Sequence, residues 1–209
     1  MHDSIYFEEH HLATREMVRA FAQEEVAPVA RRFDDTQEFP WENVKKMADL
    51  GLLGIPWSEE LGGSGLDTIS FIIAIEELAR VCASHSITIS AHTTLGTSPI
   101  VNFGTEEQKR RLVPRLASGK VLGGFGLTEP DAGSDAGGTK TTAVRKGGHY
   151  VINGTKRFIT HGGVGESFVI TAVTNPGQGT KGISSFVLTK ETCDLEQVTA
   201  LGVGHDPEI

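Results

Sequence analysis

The sequence predicts an α+β protein, with an all-helical N-terminal domain at residues 1–120 followed by a small antiparallel β-domain at residues 121–209. Three observations support this fold class. Apolar residues recur at three- and four-residue steps through the first part, whereas they alternate with a period of two after Lys120. The later segments are joined by connections too short for crossover helices, which disfavours a Rossmann-type unit. The predicted boundary lies near Gly119.

Five helices are predicted in the first part. Each has the apolar period of a helix that buries one face, and capping residues or terminal glycines mark several of the ends. The predicted helices are Glu8–Phe33, with a bend or end at Pro28; Trp41–Leu50, closed by Gly51; a helix capped by Asp67 that runs to about Cys82; His85–Val101; and a helix that starts at the capping box Thr105–Gln108 and ends at Gly119.

Six strands are predicted in the second part, and glycine-rich turn signals separate them. They are Val121–Leu127, Thr139–Arg145, Tyr150–Asn153, Phe158–Thr160, Ser167–Val173 and Gly182–Thr189. The turn signals are Lys146-Gly147-Gly148, Asn153-Gly154, His161-Gly162-Gly163 and Asn175–Gly179. Asn-Gly in particular is typical of a two-residue hairpin, and together these signals predict an antiparallel sheet.

Composition and charge exclude several classes of protein. The net charge is -8 and no basic cluster is longer than Lys109–Arg111, so the sequence lacks the basic patch that nucleic-acid-binding proteins need. No apolar run approaches the roughly 20 residues of a membrane span. The acidic start of the chain has no targeting pattern, which predicts a cytoplasmic location. Cys82 and Cys193 fit no disulfide or metal spacing and are predicted to be free thiols.

The run Gly126–Asp135 combines a hydroxyl, a tight turn and exposed backbone amides within a short span. Gly133 allows the backbone to approach an anion closely, and the amides of Gly133 and Ser134 form a small anion-binding nest with the Ser134 hydroxyl. Thr128 adds a hydroxyl at the end of a strand. An ordinary polar turn between strands is the alternative interpretation.

Three carboxylates in the same run, Glu129, Asp131 and Asp135, argue against phosphate binding through side-chain charge. We therefore expect them to point away from a ligand and to hold loop amides in place. The alternative for Glu129, and for the later Glu166, is a solvated loop charge. No lysine accompanies the glycines, so the run is not a P-loop.

About thirty residues later, Phe158-Ile159-Thr160 places an aromatic ring and a second hydroxyl where one ligand can meet both motifs. A lone threonine at a strand end is otherwise simply a good β former. Together the two motifs suggest a site for a flavin.

The run Gly126–Gly138 resembles the first signature of the flavin-dependent acyl-CoA dehydrogenases, a hydrophobic-Thr-Glu-x-x-x-Gly-Ser-Asp core. Segments 104–109, 152–160 and 181–184 extend the resemblance over nearly the whole chain. It implies that FAD is bound by both motifs. The implied positions are the backbone of Phe125 and Leu127 along the flavin, Thr128 at its pyrimidine edge, Gly133 and Ser134 at the pyrophosphate and the acyl-CoA, Phe158 on the ring, Thr160 beside N5, and the backbone of Ile159 in the cradle.

The resemblance also implies the reaction, which is α,β-dehydrogenation of an acyl-CoA thioester with electrons passed to an electron-transfer flavoprotein, in a homo-oligomer. The family's catalytic glutamate most often lies in a C-terminal helical domain, and the sequence looks interrupted at Ile209. We therefore assign no catalytic base and expect weak or absent FAD binding and negligible turnover from these 209 residues alone. The alternative function is a non-catalytic acyl-CoA- or flavin-binding or assembly module with the same fold.

The histidines invite a metal hypothesis, and His10-His11 is the closest group. Adjacent helical residues point in different directions, so we interpret both as solvated surface and predict no metal site. His161 is interpreted as a turn residue, although it stands where many relatives carry Asn, just as Phe158 stands where many carry Trp. The stretch Ser84–Ser98 resembles in position the helix that lines the family's acyl-chain pocket.

Overall fold

The computed structural model describes residues 6–193 and divides the chain into two compact units between Val121 and Leu122. The first unit is helical. Its helices are α1 Glu9–Phe21, α2 Ala27–Thr36, α3 Trp41–Asp49, α4 Thr68–Ala79, α5 Ala83–Ala91, α6 Ser98–Phe103 and α7 Glu106–Ala117. Within the described residues, no helix is both long and apolar enough to cross a membrane.

Two of the predicted long helices contain a π-helical segment before a proline. The segment Ala22–Val26 joins α1 to α2, and Pro28 occupies the first turn of α2. The segment His92–Thr97 joins α5 to α6 in the same way, ahead of Pro99. Proline lacks an N–H and crowds the preceding turn, so the wider π turn lets the chain continue in one direction. The predicted bend at Pro28 therefore takes the form of a change in helix type.

Local capping signals set several helix ends as the sequence predicts. An Asp67 side-chain oxygen accepts the Ser70 N–H at 2.8 Å and so caps α4. Thr105 and Gln108 exchange hydrogen bonds at the start of α7. Gly119, with a φ of 68°, ends that helix in the left-handed conformation that glycine adopts easily. The core beneath these helices includes Val18, Met47, Leu53, Leu78, Ile89 and Leu116.

The part of the second unit that the structure describes, residues 122–193, contains a five-stranded sheet. Its strands are β1 Gly123–Gly126, β2 Thr142–Lys146, β3 His149–Asn153, β4 Ser167–Val173 and β5 Ile183–Thr189. Along the sheet the order is β1, β4, β2, β3, and β5 also pairs with β4. The sheet core is formed by β4, where Val169 and Ala172 are buried.

The predicted antiparallel sheet is wrong in one respect, because the sheet is mixed. β1 runs parallel to β4, with Gly123 opposite Ser167, and β2 meets β4 in parallel at Thr142 and Val173. The β2–β3 and β4–β5 pairs are antiparallel. Residues 127–166 carry the chain through loops and the β2–β3 hairpin, and this excursion returns it in its original direction without a crossover helix.

Two further strand predictions are corrected. Phe158–Thr160 lies in a bend and turn, with Phe158 at a φ of 56°. Asn153-Gly154 does not form a hairpin, because β3 ends at Asn153 and an irregular segment follows. The hairpin turn is instead Gly147-Gly148, which was also among the predicted turn signals and which brings Lys146 opposite His149.

Candidate functional site

The loop of residues 127–135, which we call the motif loop, leaves the sheet at the end of β1 and folds into the tight turn that its sequence predicts. The backbone N–H of Glu129 donates to the Ala132 carbonyl at 2.7 Å, and the Ala132 N–H donates back to Glu129 at 3.3 Å. Pro130 and Asp131 form the tip of this turn. Gly133 and Ser134 follow it and are exposed to solvent.

Glu129 holds loop amides in place, as expected for the acidic residues of the motif. Its carboxylate accepts the N–H of Lys140 at 2.7 Å and that of Thr141 at 3.1 Å. The side chain is 4% exposed, so the alternative of a solvated charge is wrong for Glu129. Glu166 differs, because it is only partly buried and pairs with exposed Lys190 at 2.8 Å.

The buried charge of Glu129 is balanced by Lys156, a residue that the sequence analysis did not single out. The Nζ atom of Lys156 lies 2.7 Å from Glu129 Oε1. Burial by itself raises the pKa of the Glu129 carboxyl, but hydrogen bonds from Lys156, Thr141 and Lys140 outweigh it and lower the pKa to about 2. Glu129 is therefore ionised at neutral pH.

The segment of residues 156–161, which we call the Phe158 segment, runs beside β1 and the motif loop. Lys156 Nζ donates to the Leu127 carbonyl at 3.1 Å, and the Arg157 N–H donates to the Thr128 carbonyl at 2.8 Å. Further along, the Thr160 carbonyl approaches Gly124 so closely that a Cβ atom there would lie 2.7 Å from it. The structure thus brings the two sequence motifs together.

His161 closes the Phe158 segment. Its Nδ1 atom lies 2.8 Å from the Gly123 carbonyl, so this nitrogen carries the proton and donates. Burial lowers the pKa of the His161 imidazole, and the bond to Gly123 opposes that shift. A φ of 67° and a place in the turn agree with the prediction of a turn residue, and the ring anchors that turn to β1.

The residues assigned to the cofactor by resemblance differ in exposure. Phe125, Leu127, Thr128, Ile159 and Thr160 are half-buried, and Gly133, Ser134 and Phe158 are exposed. The Phe158 ring is 74% exposed although the Arg157 guanidinium lies 5.6 Å from its centroid. Within residues 6–193, the hydroxyls of Thr128, Ser134 and Thr160 have no hydrogen-bond partner, and neither do the N–H groups of Thr128 and Thr160.

The histidine interpretation needs correction, because His11 is only 2% exposed and is not solvated surface. Its Nδ1 atom accepts the Glu8 N–H at 2.9 Å, and its Nε2 atom lies 2.8 Å from Asp67 Oδ2. One imidazole thereby links the N-terminal caps of α1 and α4. Sequence spacing does not reveal this link, since Asp67 is distant along the chain.

His10 joins the same cluster, with its Nε2 atom 3.5 Å from Asp67 Oδ2. The candidate ligand atoms of His10, His11 and Asp67 lie within 4.8 Å of one another, which is close enough to hold a metal ion. However, the positive ends of two helix dipoles face the cluster, and they disfavour a cation. The absence of a metal site stays a prediction.

Comparison with known proteins identifies the family. Residues 8–120 match the acyl-CoA dehydrogenase N-terminal domain, and residues 124–207 match the acyl-CoA dehydrogenase middle domain. The chain belongs to the acyl-CoA dehydrogenase family. This confirms the family assignment that rested on the motif loop and on the segments around it.

Individual relatives agree with the family assignment. The short-chain specific acyl-CoA dehydrogenase of Clostridium acetobutylicum is 54% identical over 84% of this chain and 46% of its own length. A chain in the structure reported for the electron transferring flavoprotein of Acidaminococcus fermentans is 41% identical, with a TM-score of 0.86 over 90% of this chain and 49% of that chain. An acyl-CoA dehydrogenase complexed with FAD from Bacillus anthracis is 36% identical, with a TM-score of 0.81 over 89% of this chain and 32% of that chain. The chain spans about half the length of the curated relatives that it matches.

Proposed function

We propose that this protein takes part in FAD-dependent α,β-dehydrogenation of an acyl-CoA thioester. In such a reaction, FAD accepts the hydride that leaves Cβ while a base removes a proton from Cα. Membership of the acyl-CoA dehydrogenase family supports the reaction class, and the FAD complex of the Bacillus anthracis relative supports the cofactor. The observation that carries the proposal is the set of unpartnered polar groups at Thr128 and Thr160.

These polar groups fit a planar, hydrogen-bonding ligand. The hydroxyl and N–H groups of Thr128 and Thr160 have no protein partner within residues 6–193, so they are available to hydrogen-bond a bound molecule. Phe158, two residues before Thr160, has an exposed ring that is free to stack on an isoalloxazine. A Cβ at Gly133 would meet only the Thr128 Cγ2 atom at 3.8 Å, so room remains at the amides that would face a pyrophosphate.

Each site residue has a proposed role in binding. Thr128 and Thr160 donate hydrogen bonds to the ring, Phe158 packs on it, and Gly133 with Ser134 binds the pyrophosphate through N–H groups, Ser134 also contacting the acyl-CoA. The backbone of Phe125, Leu127 and Ile159 completes the cradle. None of these residues is proposed as the proton acceptor.

The carboxylates near the motif loop are poorly suited to act as the catalytic base. Glu129 is bound by Lys156 and two N–H groups, which lower its pKa to about 2 and make it a weak proton acceptor. Glu166 pairs with Lys190. We therefore propose that residues 1–209 alone give negligible turnover, and that a base from elsewhere completes the site.

The relatives suggest a substrate and an electron acceptor to test. The short-chain specificity in the name of the Clostridium acetobutylicum relative makes a short-chain acyl-CoA the first substrate to test. An electron-transfer flavoprotein is the proposed electron acceptor, in keeping with the Acidaminococcus fermentans structure. A homo-oligomer in the cytoplasm is the proposed working state.

The visible spectrum of the purified protein tests this proposal, measured on the longest polypeptide that its gene encodes. Flavin absorbance that bleaches on addition of a short-chain acyl-CoA supports the dehydrogenase. A colourless protein that still binds acyl-CoA supports the non-catalytic module instead. Failure to bind either FAD or acyl-CoA at high micromolar concentrations sinks both.

Matched threonine variants test whether the hydroxyls of Thr128 and Thr160 bind the cofactor. Thr128→Val and Thr160→Val each remove one hydroxyl without changing the size of the side chain, and each should weaken FAD binding about tenfold. Thr155→Val is the control, because Thr155 is exposed between the two motifs and has no proposed role. Equal FAD affinity in all three variants would contradict the proposed site.

A further inference from the structure

The buried ion pair of Glu129 and Lys156 spans the two segments proposed to hold the cofactor. Glu129 belongs to the motif loop, and Lys156 begins the Phe158 segment. Their charged atoms lie 2.7 Å apart, and both side chains are at least nine-tenths buried. Removing either charge would leave the other buried without its partner, so each residue holds the other in place.

Every other polar contact of the pair is also within the β unit. Glu129 accepts the N–H groups of Lys140 and Thr141 just ahead of β2. Lys156 donates to the Leu127 carbonyl at 3.1 Å and to Thr171 Oγ1 in β4 at 3.2 Å. The pair therefore connects the motif loop, the Phe158 segment, β2 and the central strand β4.

The position of the ammonium has a chemical consequence for the Leu127–Thr128 peptide. Lys156 donates to the carbonyl of this peptide, and the N–H of the same peptide belongs to Thr128. A charged donor on the oxygen polarises the amide, so its N–H becomes a stronger donor. That N–H is one of the groups without a partner in the described chain.

We propose that Glu129 and Lys156 are positioning residues, which hold the motif loop against the Phe158 segment and strengthen the Thr128 N–H as a donor to the flavin. This inference rests on the proposed function. In this proposal the two residues act on the flavin through Leu127 and Thr128, since their printed hydrogen bonds all go to protein groups. The pair is therefore predicted to affect cofactor affinity and potential.

Amide hydrogen exchange on the protein without added flavin tests the positioning. Lys156→Met and Glu129→Gln should each speed exchange of the Arg157 N–H, which bonds to Thr128, by about tenfold or more. Lys140→Met is the matched control, because Lys140 forms an ion pair of the same 2.7 Å length with Asp131 of the motif loop, but at the surface. Unchanged exchange at Arg157 in both test variants would overturn the inference.

Flavin titration and redox measurement on the same variants test the link to the cofactor. Lys156→Met should weaken FAD binding about tenfold and lower the midpoint potential of bound flavin, whereas Lys156→Arg, which keeps the charge, should retain most of the potential. Variants that bind FAD with unchanged affinity and potential overturn the inference but leave the proposed function intact. These measurements use the longest polypeptide that the gene encodes; if that polypeptide without substitutions binds no FAD, the proposed function fails and the inference fails with it, whatever the exchange rates.

Discussion

Both units bury a glutamate, but they balance its charge in different ways. Glu77 in α4 is 2% exposed and accepts two hydrogen bonds from Arg19, at 2.6 and 2.9 Å. Arg15 and Arg80 lie 3.7 and 3.9 Å from its carboxylate. Glu129 is 6% exposed and has one cation, Lys156, together with two backbone N–H groups.

The difference shows that a buried carboxylate can be balanced either by several interchangeable cations or by a few contacts that cannot replace one another. Three arginines surround Glu77, with Arg15 and Arg19 on α1 and Arg80 just after the end of α4, so one can be lost while the others remain. The Glu129 contacts come from two segments, the backbone of Lys140 and Thr141 and the side chain of Lys156, so they tie two different parts of the chain to the motif loop. We expect Glu77 to tolerate changes that Glu129 does not.

The largest effect is expected from Lys156→Met. It leaves the Glu129 carboxylate buried without a cation, which should reduce the free energy of unfolding of the β unit by about 3–5 kcal/mol. Hydrogen exchange in β4 measures this loss, because Trp41 and Trp57 are both in the helical unit and their fluorescence reports only there.

Arg19→Met is the companion variant in the helical unit. Its effect on unfolding, followed by tryptophan fluorescence in urea, should be clearly smaller, because Arg15 and Arg80 remain beside Glu77. Equal losses from the two substitutions would contradict the comparison.

The next largest effect is expected from lowering the pH, which should weaken the contacts of Glu129. The pKa of Glu129 is lowered to about 2 in the folded protein from an ordinary value of 4.5, so its ionised form stabilises the fold. That contribution is complete above pH 4.5 and is lost as the pH falls from 4.5 through 2. We expect protection of the Lys140 and Thr141 N–H groups to decline over this range in hydrogen exchange corrected for intrinsic rates. A flat profile in the unaltered protein would argue against the pair, and Lys156→Met should flatten it.

Thr171→Val is expected to have a moderate effect. It removes the hydroxyl that accepts from Lys156 at 3.2 Å and keeps the shape of the side chain in β4. Loss of one hydrogen bond to a buried ammonium should destabilise the β unit by about 1–3 kcal/mol. Exchange of the Ala172 amide measures it, with Thr180→Val at an exposed site as the control. No change relative to that control would mean that Leu127 and Glu129 satisfy the ammonium fully.

The smallest effect is expected from Lys140→Met. Its ion pair with Asp131 has the length of the Glu129–Lys156 contact, but the two side chains are 71% and 67% exposed. Water screens such a pair, so we expect no measurable change in hydrogen exchange in β4. A loss as large as that of Lys156→Met would show that proximity in the loop, and not burial, determines the effect.

The same contrast explains how much of the structure could be predicted from the sequence. The cap at Asp67 and the capping box Thr105–Gln108 involve residues three apart, so the local sequence contains all of the information needed. The motif loop was also recognisable, because its turn and its glycine are contiguous.

The remaining parts of the site depend on partners far along the chain. Phe158–Thr160 has the composition of a strand but forms a turn. Contacts of this segment and its flanking residues with Thr128, Gly124 and Gly123 stabilise that turn. The parallel pairing of β1 with β4 likewise depends on the course of residues 127–166. Lys156 was missed because nothing in its own sequence neighbourhood distinguishes a buried lysine from a solvated one.

Phe158 also shows where selection for folding and selection for binding would diverge. A bulky side chain at a φ of 56° occupies a conformation that glycine adopts freely, and strain of this kind costs on the order of 1 kcal/mol or more. Because the ring is exposed, its packing contributes little stabilisation to offset this strain. A library screened only for thermal stability should therefore replace Phe158 with glycine, whereas a library screened for flavin retention should keep an aromatic residue there.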